Sequence, residues 1–345
     1  MAGRRLRIAT YNVEWFHALF DDDGRILSDE RWSARQNVTR RQQVAALMSV
    51  FQALDADAVL VVEAPDISRH RDGAVALGNF ARAAGLRARE VCFGFANDTR
   101  QELMLLHDPE VITAHHDPVA LGAPRFDGTF RIALGLDGGE DVVVFSKPPL
   151  ELQLETPLGP MRMIGVHVKS KAPHGARSPG HARRIALANR RKQLAQCIWL
   201  RRRIEAHLDA GTPLIVLGDL NDGPGRDRHE ELLRRSGAEI VMGWGGGDDR
   251  LMFDPHAARA LDQPGGAVPG TTPSTARFHI AREGRYLSAL LDYIFVSPDL
   301  RAAAQRWRIW HPFEDPDCRA DERLRGALLT ASDHFPVTLD LSMPG

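Results

Sequence analysis

The stretch Pro213–Asp222 constrains the fold of this chain more than any other part of the sequence. Leu214 to Leu217 is a continuous apolar run of strand length, and Gly218 interrupts it before it reaches the length of a helix. A run of this kind is typical of a strand that is buried on both faces. The stretch therefore predicts an interior strand of a sheet that is covered on both sides.

The end of this predicted strand carries a carboxylate and a carboxamide. Asp219 and Asn221 are two residues apart, so their side chains point the same way if the strand continues. Polar groups at the carboxyl end of a buried strand usually mark a site, because the strand holds them rigidly while the loop admits a ligand. The alternative is an Asx-turn in which both side chains bond only their own backbone. The local sequence allows either interpretation.

Other predicted strands carry isolated polar groups in the same way. The apolar strand Ala58–Val62 stops at Glu63, and a carboxylate in that position is costly to bury without a cation, a metal or hydrogen-bond donors. We therefore interpret Glu63 as a functional residue. The same pattern places Asn12 in the strand Leu6–Glu14, Asp292 in the strand Tyr286–Val296, and the pair Asp333–His334 just before the strand Val337–Leu341.

The remaining periodicity predicts further strands and helices along the whole chain. Helices are predicted at Arg35–Leu54, Ala74–Ala84, His181–Leu208 and His229–Ser236, and an extended loop at Asp254–Thr275. Strands are predicted at Glu102–Leu106, Phe130–Leu136, Val142–Phe145 and Met161–Val168. No linker divides the chain, so residues 1–345 are predicted to form one domain, and two βαβ-rich halves that end in antiparallel strands fit one α/β sandwich.

A basic segment follows the strand Met161–Val168. His167, Lys169 and Lys171 alternate with other residues, so the three basic side chains share one face, which favours a phosphate site. From Thr156 to Ile204 there are twelve Lys or Arg residues, three His and no acidic residue. A helix without acids gains no i,i+4 pairs and repels itself, so either its charged face is simply solvated or a polyanionic partner relieves the repulsion.

Composition limits the classes of protein that this chain can represent. The chain is 43% hydrophobic and 26% charged with a formal net charge of -1, which is typical of a soluble globular protein without a global attraction to nucleic acid or membranes. No apolar run reaches membrane-spanning length, and none follows the basic amino terminus as in a signal peptide. The three widely separated cysteines indicate a reducing compartment. A cytoplasmic protein without a membrane contact is predicted.

Taken together, the polar motifs resemble the ordered signature of a known superfamily. T-Y-N-V-E-W, the strand before Glu63, G-V-H-V-K-S-K, G-D-L-N-D, L-D-Y-I-F and S-D-H-F-P-V occur in the order found in the endonuclease/exonuclease/phosphatase superfamily, which has the deoxyribonuclease I-like fold. The resemblance extends from Thr10 to Val337 and is strongest to the bacterial nuclease-type members. It implies a four-layer sandwich, in which two mixed β-sheets pack face to face and helices cover the outside.

The resemblance also implies a metal site and its ligands. Glu63 would be the principal ligand of a divalent metal, and Asn12 and Asp333 would assist it. Carboxylate and amide oxygens suit the hard cations Mg²⁺ or Mn²⁺, whereas the lack of clustered Cys or His argues against structural zinc. A metal on a phosphoryl oxygen stabilises the charge that develops during an in-line displacement.

The catalytic roles implied by the resemblance fall on five residues. Asp219 and Asn221 would orient the attacking water and the phosphate. His334, held by Asp292, would be the acid–base histidine, because an Asp behind a His raises its pKa and selects its tautomer. His167 would contact the scissile phosphate.

The chain also departs from the family pattern. Val62 stands where many members have glutamine, and no tyrosine lies between Ala64 and Gly218, where abasic endonucleases have one in the active site. Asn97, Asp98 and Arg100 are the candidates for that region, and we predict that Arg100, Lys169 and Lys171 contribute to substrate binding.

Three functional hypotheses follow. The first is a monomeric, metal-dependent phosphodiesterase that acts on nucleic acid, which the acid-free basic segment favours. The second is a hydrolase of the same fold that acts on a small or lipid phosphoester. The third is a non-catalytic binding module, and the presence of every acid, amide and histidine of the motifs argues against it.

Overall fold

The computed structural model describes residues 5–97, 99, 101–134, 139–173, 175–224, 235–262, 273–280 and 284–342. Within these ranges the strands are β1 Arg5–Asn12, β2 Ala58–Ala64, β3 Glu90–Phe93, β4 Glu102–His107, β5 Thr113–His116, β6 Phe130–Ile132, β7 Asp141–Val143, β8 Leu150–Thr156, β9 Gly159–His167, β10 Leu214–Asp219, β11 Ala276–Ile280, β12 Arg285–Ala289, β13 Asp292–Val296, β14 Ala304–Ile309 and β15 Val337–Ser342. The α-helices are α1 Arg40–Leu54, α2 Gly73–Ala83, α3 Pro179–Asp209, α4 Gly237–Met242, α5 Pro255–Leu261, α6 Pro316–Ala320 and α7 Glu322–Ala331.

The strands form two large mixed sheets and two short hairpins. The six-stranded sheet has the order β14-β15-β1-β2-β4-β3, and the five-stranded sheet has the order β13-β10-β9-β8-β5. Each large sheet contains one parallel pair, β1 with β2 and β9 with β10, and the other pairs are antiparallel. The carboxyl ends of a parallel pair lie at the same sheet edge, so each sheet presents two strand ends to one side of the molecule.

Three buried apolar clusters define four layers. The inner cluster joins the facing sheets through residues such as Leu60 of β2 and Leu217 of β10. A second cluster packs α1, α2 and α7 on the outer face of the six-stranded sheet, and a third packs α3, α4 and α5 on the five-stranded sheet. The predicted fold, a four-layer sandwich of two mixed sheets flanked by helices, is confirmed. Burial on both faces explains why the run Leu214–Leu217 has no polar position.

Gly218 allows β10 to approach β9 just before Asp219. Its φ of +128° lies in the region that side chains rarely adopt, and a Cβ added there would lie 2.1 Å from the Val166 carbonyl oxygen. No other residue fits at this position without moving the backbone of a buried strand.

We predict that Gly218→Ala destabilises the protein by more than about 2 kcal/mol, because the clash adds to the backbone strain. Urea unfolding monitored by circular dichroism measures the loss. Gly85→Ala is the matched control, since its φ of +65° carries strain but nothing lies within 4 Å of the added Cβ. An equal loss in both variants would show that the close approach to Val166 has no energetic importance.

The prediction of one continuous strand at Tyr286–Val296 is wrong. β12 pairs with β11 in a separate hairpin, whereas β13 belongs to the five-stranded sheet. The chain turns between them because the Thr275 hydroxyl accepts hydrogen bonds from the Leu291 and Asp292 amides, both at 2.9 Å. A distant threonine therefore ends a run whose sequence is continuously strand-like.

The predicted loop Asp254–Thr275 is also wrong in its first part, which forms α5. Asp254 caps this helix, since its Oδ1 accepts from the His256 and Ala257 amides at 2.8 and 3.0 Å, and Pro255 occupies the first turn. Residues 263–272 lie outside the described part, as does most of the predicted helix His229–Ser236 and part of the predicted strand Phe130–Leu136.

The other predicted elements are present with shifted boundaries. The helix predicted from Arg35 begins at Arg40, because Thr39 forms a capping box with Gln42. The arginine-rich helix is longer than predicted and extends over the 31 residues of α3. None of the helices in the described ranges combines the length and the apolar character needed to cross a bilayer.

Candidate active site

The predicted polar residues meet in one cleft at the edge of the sandwich. Its volume is about 940 Å³, and both sheets contribute to its floor. The carboxyl ends of β1, β2, β9 and β10 lie here, next to the amino ends of the antiparallel strands β13 and β15. Among the predicted residues, the cleft is lined by Asn12, Glu63, His167, Lys169, Lys171, Asp219, Asn221, Asp333 and His334.

Asp219 lies at the centre of this cleft and joins the two sheets. Its Oδ2 accepts hydrogen bonds from Nδ2 of Asn12 and from Nδ2 of Asn221, both at 3.1 Å. Its Oδ1 accepts from the Asn221 amide at 2.6 Å, which is the bond of an Asx-turn. Both sequence interpretations therefore apply, but the bond from Asn12 crosses between sheets and is not local. Burial, and next the charge of Asp292, raises the pKa of Asp219 to about 7.

His334 and Asp292 form a buried pair beside Asp219. The distance from His334 Nδ1 to Asp292 Oδ2 is 2.8 Å, and both residues are at most 5% exposed. Burial alone would lower the pKa of His334, but the Asp292 carboxylate raises it well above the usual value. The Ser332 hydroxyl accepts from the His334 amide and donates to the Asn12 carbonyl, which ties the histidine to β1.

In the described part of the chain, Asp219, Asp292 and His334 form a group in which one possible metal-ligand atom of each residue lies within 4.8 Å of the others. Because His334 Nδ1 is bonded to Asp292, we interpret this group as an acid–base cluster in which two carboxyl groups lie beside one imidazole. Nε2 is then the ring atom left for proton exchange with a substrate.

Lys147, which the sequence analysis missed, contacts His167. Its Nζ lies 3.2 and 3.3 Å from the two ring nitrogens, and His167 Nε2 lies 3.7 Å from Asp219 Oδ2. Burial, and next the Lys147 charge, lowers the pKa of His167 well below its usual value, so this histidine is neutral. The rarity of lysine could have indicated a functional role for Lys147, since only four of the 44 Lys and Arg residues are lysines.

Glu63 lies in a bulge at the end of β2, where the pairing with β4 skips between Val62 and Ala64. The φ of Glu63 is +61° and that of Asn221 is +51°. Both candidate residues, one after each strand, therefore have a strained backbone conformation. In the described part of the chain the Glu63 carboxylate accepts one hydrogen bond, from the Trp15 amide at 3.3 Å, and forms no ion pair. Burial raises the pKa of Glu63, although nearby Lys147 opposes this.

The chemistry of the predicted metal ligands suits a hard divalent cation. Glu63 and Asp333 offer carboxylate oxygens, and Asn12 offers an amide oxygen, all on the surface of the same cleft. Glu63 is half-buried, and a carboxylate in such surroundings with one amide donor is stabilised by a further positive partner, which a cation would supply. The chemistry of these residues therefore agrees with Mg²⁺ or Mn²⁺ rather than with a soft metal.

Glu14 supports Asp333, and the sequence analysis did not assign it a role. Its carboxylate contacts the Arg35 guanidinium and accepts from the Asp333 amide at 3.2 Å. Burial, and next the charge of Asp333, raises the pKa of Glu14 to about 7. The signal was present, because Glu14 stands in the T-Y-N-V-E-W motif beside Asn12.

The predicted substrate-binding residues differ in their surroundings. Lys171 lies at the cleft and donates to Asp222 Oδ1 at 3.0 Å, and Asp222 also binds Arg190 at 2.6 Å. Lys169 lines the cleft, and its amide donates to Gln196 Oε1 of α3 at 2.9 Å. Arg100 lies outside the described residues.

Comparisons with known proteins agree with this architecture. A family model described as Endonuclease/Exonuclease/phosphatase family matches residues 9–334. No curated protein matches the chain.

Three solved structures illustrate the likeness of the fold. The 3'-5' exonuclease NExo from Neisseria meningitidis has a TM-score of 0.50 at 16% identity, with 98% of this chain and 100% of that chain covered. Truncated Caenorhabditis elegans TDP2 has a TM-score of 0.51 at 13% identity, with 98% of each chain covered. A family protein from Bacteroides thetaiotaomicron has a TM-score of 0.50 at 14% identity, with all of both chains covered.

Proposed function

The chain belongs to the endonuclease/exonuclease/phosphatase family of phosphoester hydrolases, and we propose that it is a divalent-metal-dependent nuclease that cleaves phosphodiester bonds of nucleic acid. The observation that carries this proposal is a pair of buried hydrogen bonds at one cleft, between Asn12 and Asp219 and between His334 and Asp292. The lysines Lys147, Lys169 and Lys171 line the same cleft. We include in the proposal that residues 1–345 are one domain and that the protein is a cytoplasmic monomer. The free thiols of its cysteines agree with a reducing compartment.

The cleft residues can share the steps of hydrolysis by water. Asp219, with its pKa of about 7, accepts a proton from the attacking water, whose oxygen bonds to phosphorus. The bond from phosphorus to the leaving oxygen breaks, and protonated His334 donates a proton to that oxygen. The neutral His167 holds the phosphoryl group, and the Lys147 charge lies beside it. Asn221 donates its two amide hydrogens to Asp219 and to the Val168 carbonyl, so it holds Asp219 in position.

A bound Mg²⁺ or Mn²⁺ would neutralise negative charge that develops on the phosphoryl oxygens. Glu63, Asn12 and Asp333 are the residues that would hold it. Neighbouring Arg35 and Glu14 keep the Asp333 loop in place.

Nucleic acid is the proposed substrate because of two supports. One relative with a matching fold is NExo bound to a product DNA hairpin, and another is Danio rerio TDP2 complexed with a single-strand DNA product. The second support lies in this chain: Arg177 before α3 and Arg183 and Arg184 in its first turns are exposed. Such a row of cations suits a phosphate backbone.

The decisive experiment incubates purified protein with Mg²⁺ or Mn²⁺ and a panel of single- and double-stranded DNA, RNA and phosphomonoesters. We expect chain cleavage of DNA or RNA that excess EDTA abolishes and added metal restores. Hydrolysis of small phosphoesters alone would replace the nuclease proposal by the small-substrate hydrolase, and no metal-dependent hydrolysis of any substrate would contradict the proposal.

We predict that neutralising Arg177, Arg183 and Arg184 together reduces the salt dependence of DNA binding. Each lost phosphate contact should lower the slope of log affinity against log salt by about one. Binding of a catalytically inactive variant to a labelled duplex at several salt concentrations measures the slope.

The matched control neutralises three exposed arginines from other segments of the chain, Arg306, Arg319 and Arg323. Their loss should leave the slope unchanged. If neither set of substitutions changes the slope, then Arg177, Arg183 and Arg184 simply face solvent. They would then no longer support nucleic acid as the substrate.

A further inference from the structure

The lysines of this chain gather at one place, although arginine supplies most of its positive charge. Only four of the 44 basic residues are lysines. Lys147, Lys169 and Lys171 line the cleft, and Lys192 lies on the adjacent helix α3. A lysine ammonium is a compact, strongly hydrated charge with freely rotating donors, which suits a phosphate group approached from several directions.

Two contacts of α3 place Lys192 over the segment that contains Lys169. Gln196, one helical turn after Lys192, accepts from the Lys169 amide at 2.9 Å. Asn189, three residues before Lys192, donates to the Ala172 carbonyl at 2.9 Å. Lys192 therefore lies between two points at which α3 touches residues 169–172. Burial, and next the charge of Lys169, lowers the pKa of Lys192.

Lys169 and Lys192 differ from the other two lysines in their partners. Lys171 is bonded to Asp222, and Lys147 lies near the charges of Glu63 and Asp219. Within the described part of the chain, neither Lys169 nor Lys192 forms an ion pair with an acidic group. Two half-buried cations that repel each other cost stability, and an anion between them would remove this cost.

We propose that Lys169 and Lys192 bind a second phosphate group of the substrate, next to the one that is cleaved. Lys169 is two residues after His167, so a second phosphate there would follow the scissile phosphate along the substrate. The inference rests on the proposed function and narrows its substrate to molecules with neighbouring phosphates. A polynucleotide backbone and a small molecule with two phosphates share this chemistry.

The test compares substrates with one phosphate and with several phosphates. The double variant Lys169→Met/Lys192→Met should cleave single-stranded DNA with kcat/KM reduced about tenfold or more, because two charge-assisted contacts are lost. Its kcat/KM on bis(p-nitrophenyl) phosphate, which has one phosphate, should fall much less than its kcat/KM on DNA, so the ratio of the two values should change by about tenfold. Lys169→Arg/Lys192→Arg keeps both charges and should retain most activity, and Arg306→Met is the control for an exposed charge outside the cleft.

A dinucleotide with and without a 5'-phosphate separates the two sources of the second phosphate. If the parent prefers the phosphorylated dinucleotide and the double variant does not, the site binds a second phosphate of a small molecule. If the double variant loses kcat/KM only on longer DNA, the site binds the polymer backbone. Equal loss on bis(p-nitrophenyl) phosphate and DNA, or no loss on either, would overturn the inference while the parent's activity still supports the proposed function.

A stability measurement tests the same pair without catalysis. Lys192→Met should raise the melting temperature of the metal-free protein, because repulsion from Lys169 is removed. Inorganic pyrophosphate in EDTA should raise the melting temperature of the parent more than that of the double variant. The inference is overturned if Lys192→Met lowers the melting temperature and pyrophosphate stabilises the parent and the double variant equally. The lysines would then have a structural role, and this result does not depend on nuclease activity.

Discussion

Replacing Glu63 by glutamine is expected to abolish metal-dependent hydrolysis and to leave the fold intact. The carboxylate lies at the end of the buried strand β2, where in the described residues its bonded partner is the Trp15 amide. Glutamine keeps the shape but removes the charge that attracts a divalent cation. Because an unpaired carboxylate is costly even when it is half-buried, the metal-free variant should be no less stable than the parent.

Calorimetric titration with Mn²⁺ measures the loss of metal affinity directly, and thermal unfolding monitors the fold. Glu155→Gln, which removes an exposed carboxylate outside the cleft, is the matched control and should bind the metal normally. Unchanged Mn²⁺ affinity in Glu63→Gln would remove Glu63 from the metal site, whatever the effect on the rate.

Removing either member of the His334–Asp292 pair is the second change with a large expected effect. Loss of general acid–base catalysis costs about 10²–10⁴-fold in rate, so His334→Ala and Asp292→Asn should each lower kcat within this range. The two residues share a hydrogen bond of 2.8 Å and act as one unit. The double variant should therefore be hardly slower than the worse single variant.

His256→Ala is the matched control for this pair. His256 is also partly buried and lies beside a buried aspartate, Asp254, but it does not line the cleft. Its loss should change stability and leave kcat unchanged. If the defect of the His334 and Asp292 double variant equals the product of the single defects, the two residues act independently and the proposed pairing is wrong.

Several features of the site could be predicted because they are local in the sequence. A polar residue within or next to an apolar strand is visible within ten residues. This pattern selected Asn12, Glu63 and Asp219 at strand ends, Asp292 within a predicted strand and His334 just before one. The order of these motifs indicated the family and the sandwich. The structure places all five residues in or directly behind one cleft.

Other features could not be predicted because they depend on distant partners. Lys147 follows a short strand without a motif, and only folding brings its ammonium to His167. Lys171 was predicted to bind substrate, but its bond to Asp222 is made by a residue in another segment. The strand break before Asp292 depends on Thr275, and no periodicity in residues 286–296 indicates it.

The sequence by itself determined the order of the strands that carry polar residues, because runs of apolar and polar residues follow short-range rules of strand and helix geometry. The family and the four layers were implied by the resemblance of those motifs, in their order, to a known superfamily. Only the tertiary structure decided which polar groups touch, since Asn12 and Asp219 are 207 residues apart and meet because two sheets pack face to face. Burial in that contact raises the pKa of Asp219 to about 7, and a pKa of this kind depends on surroundings that a single sequence does not contain.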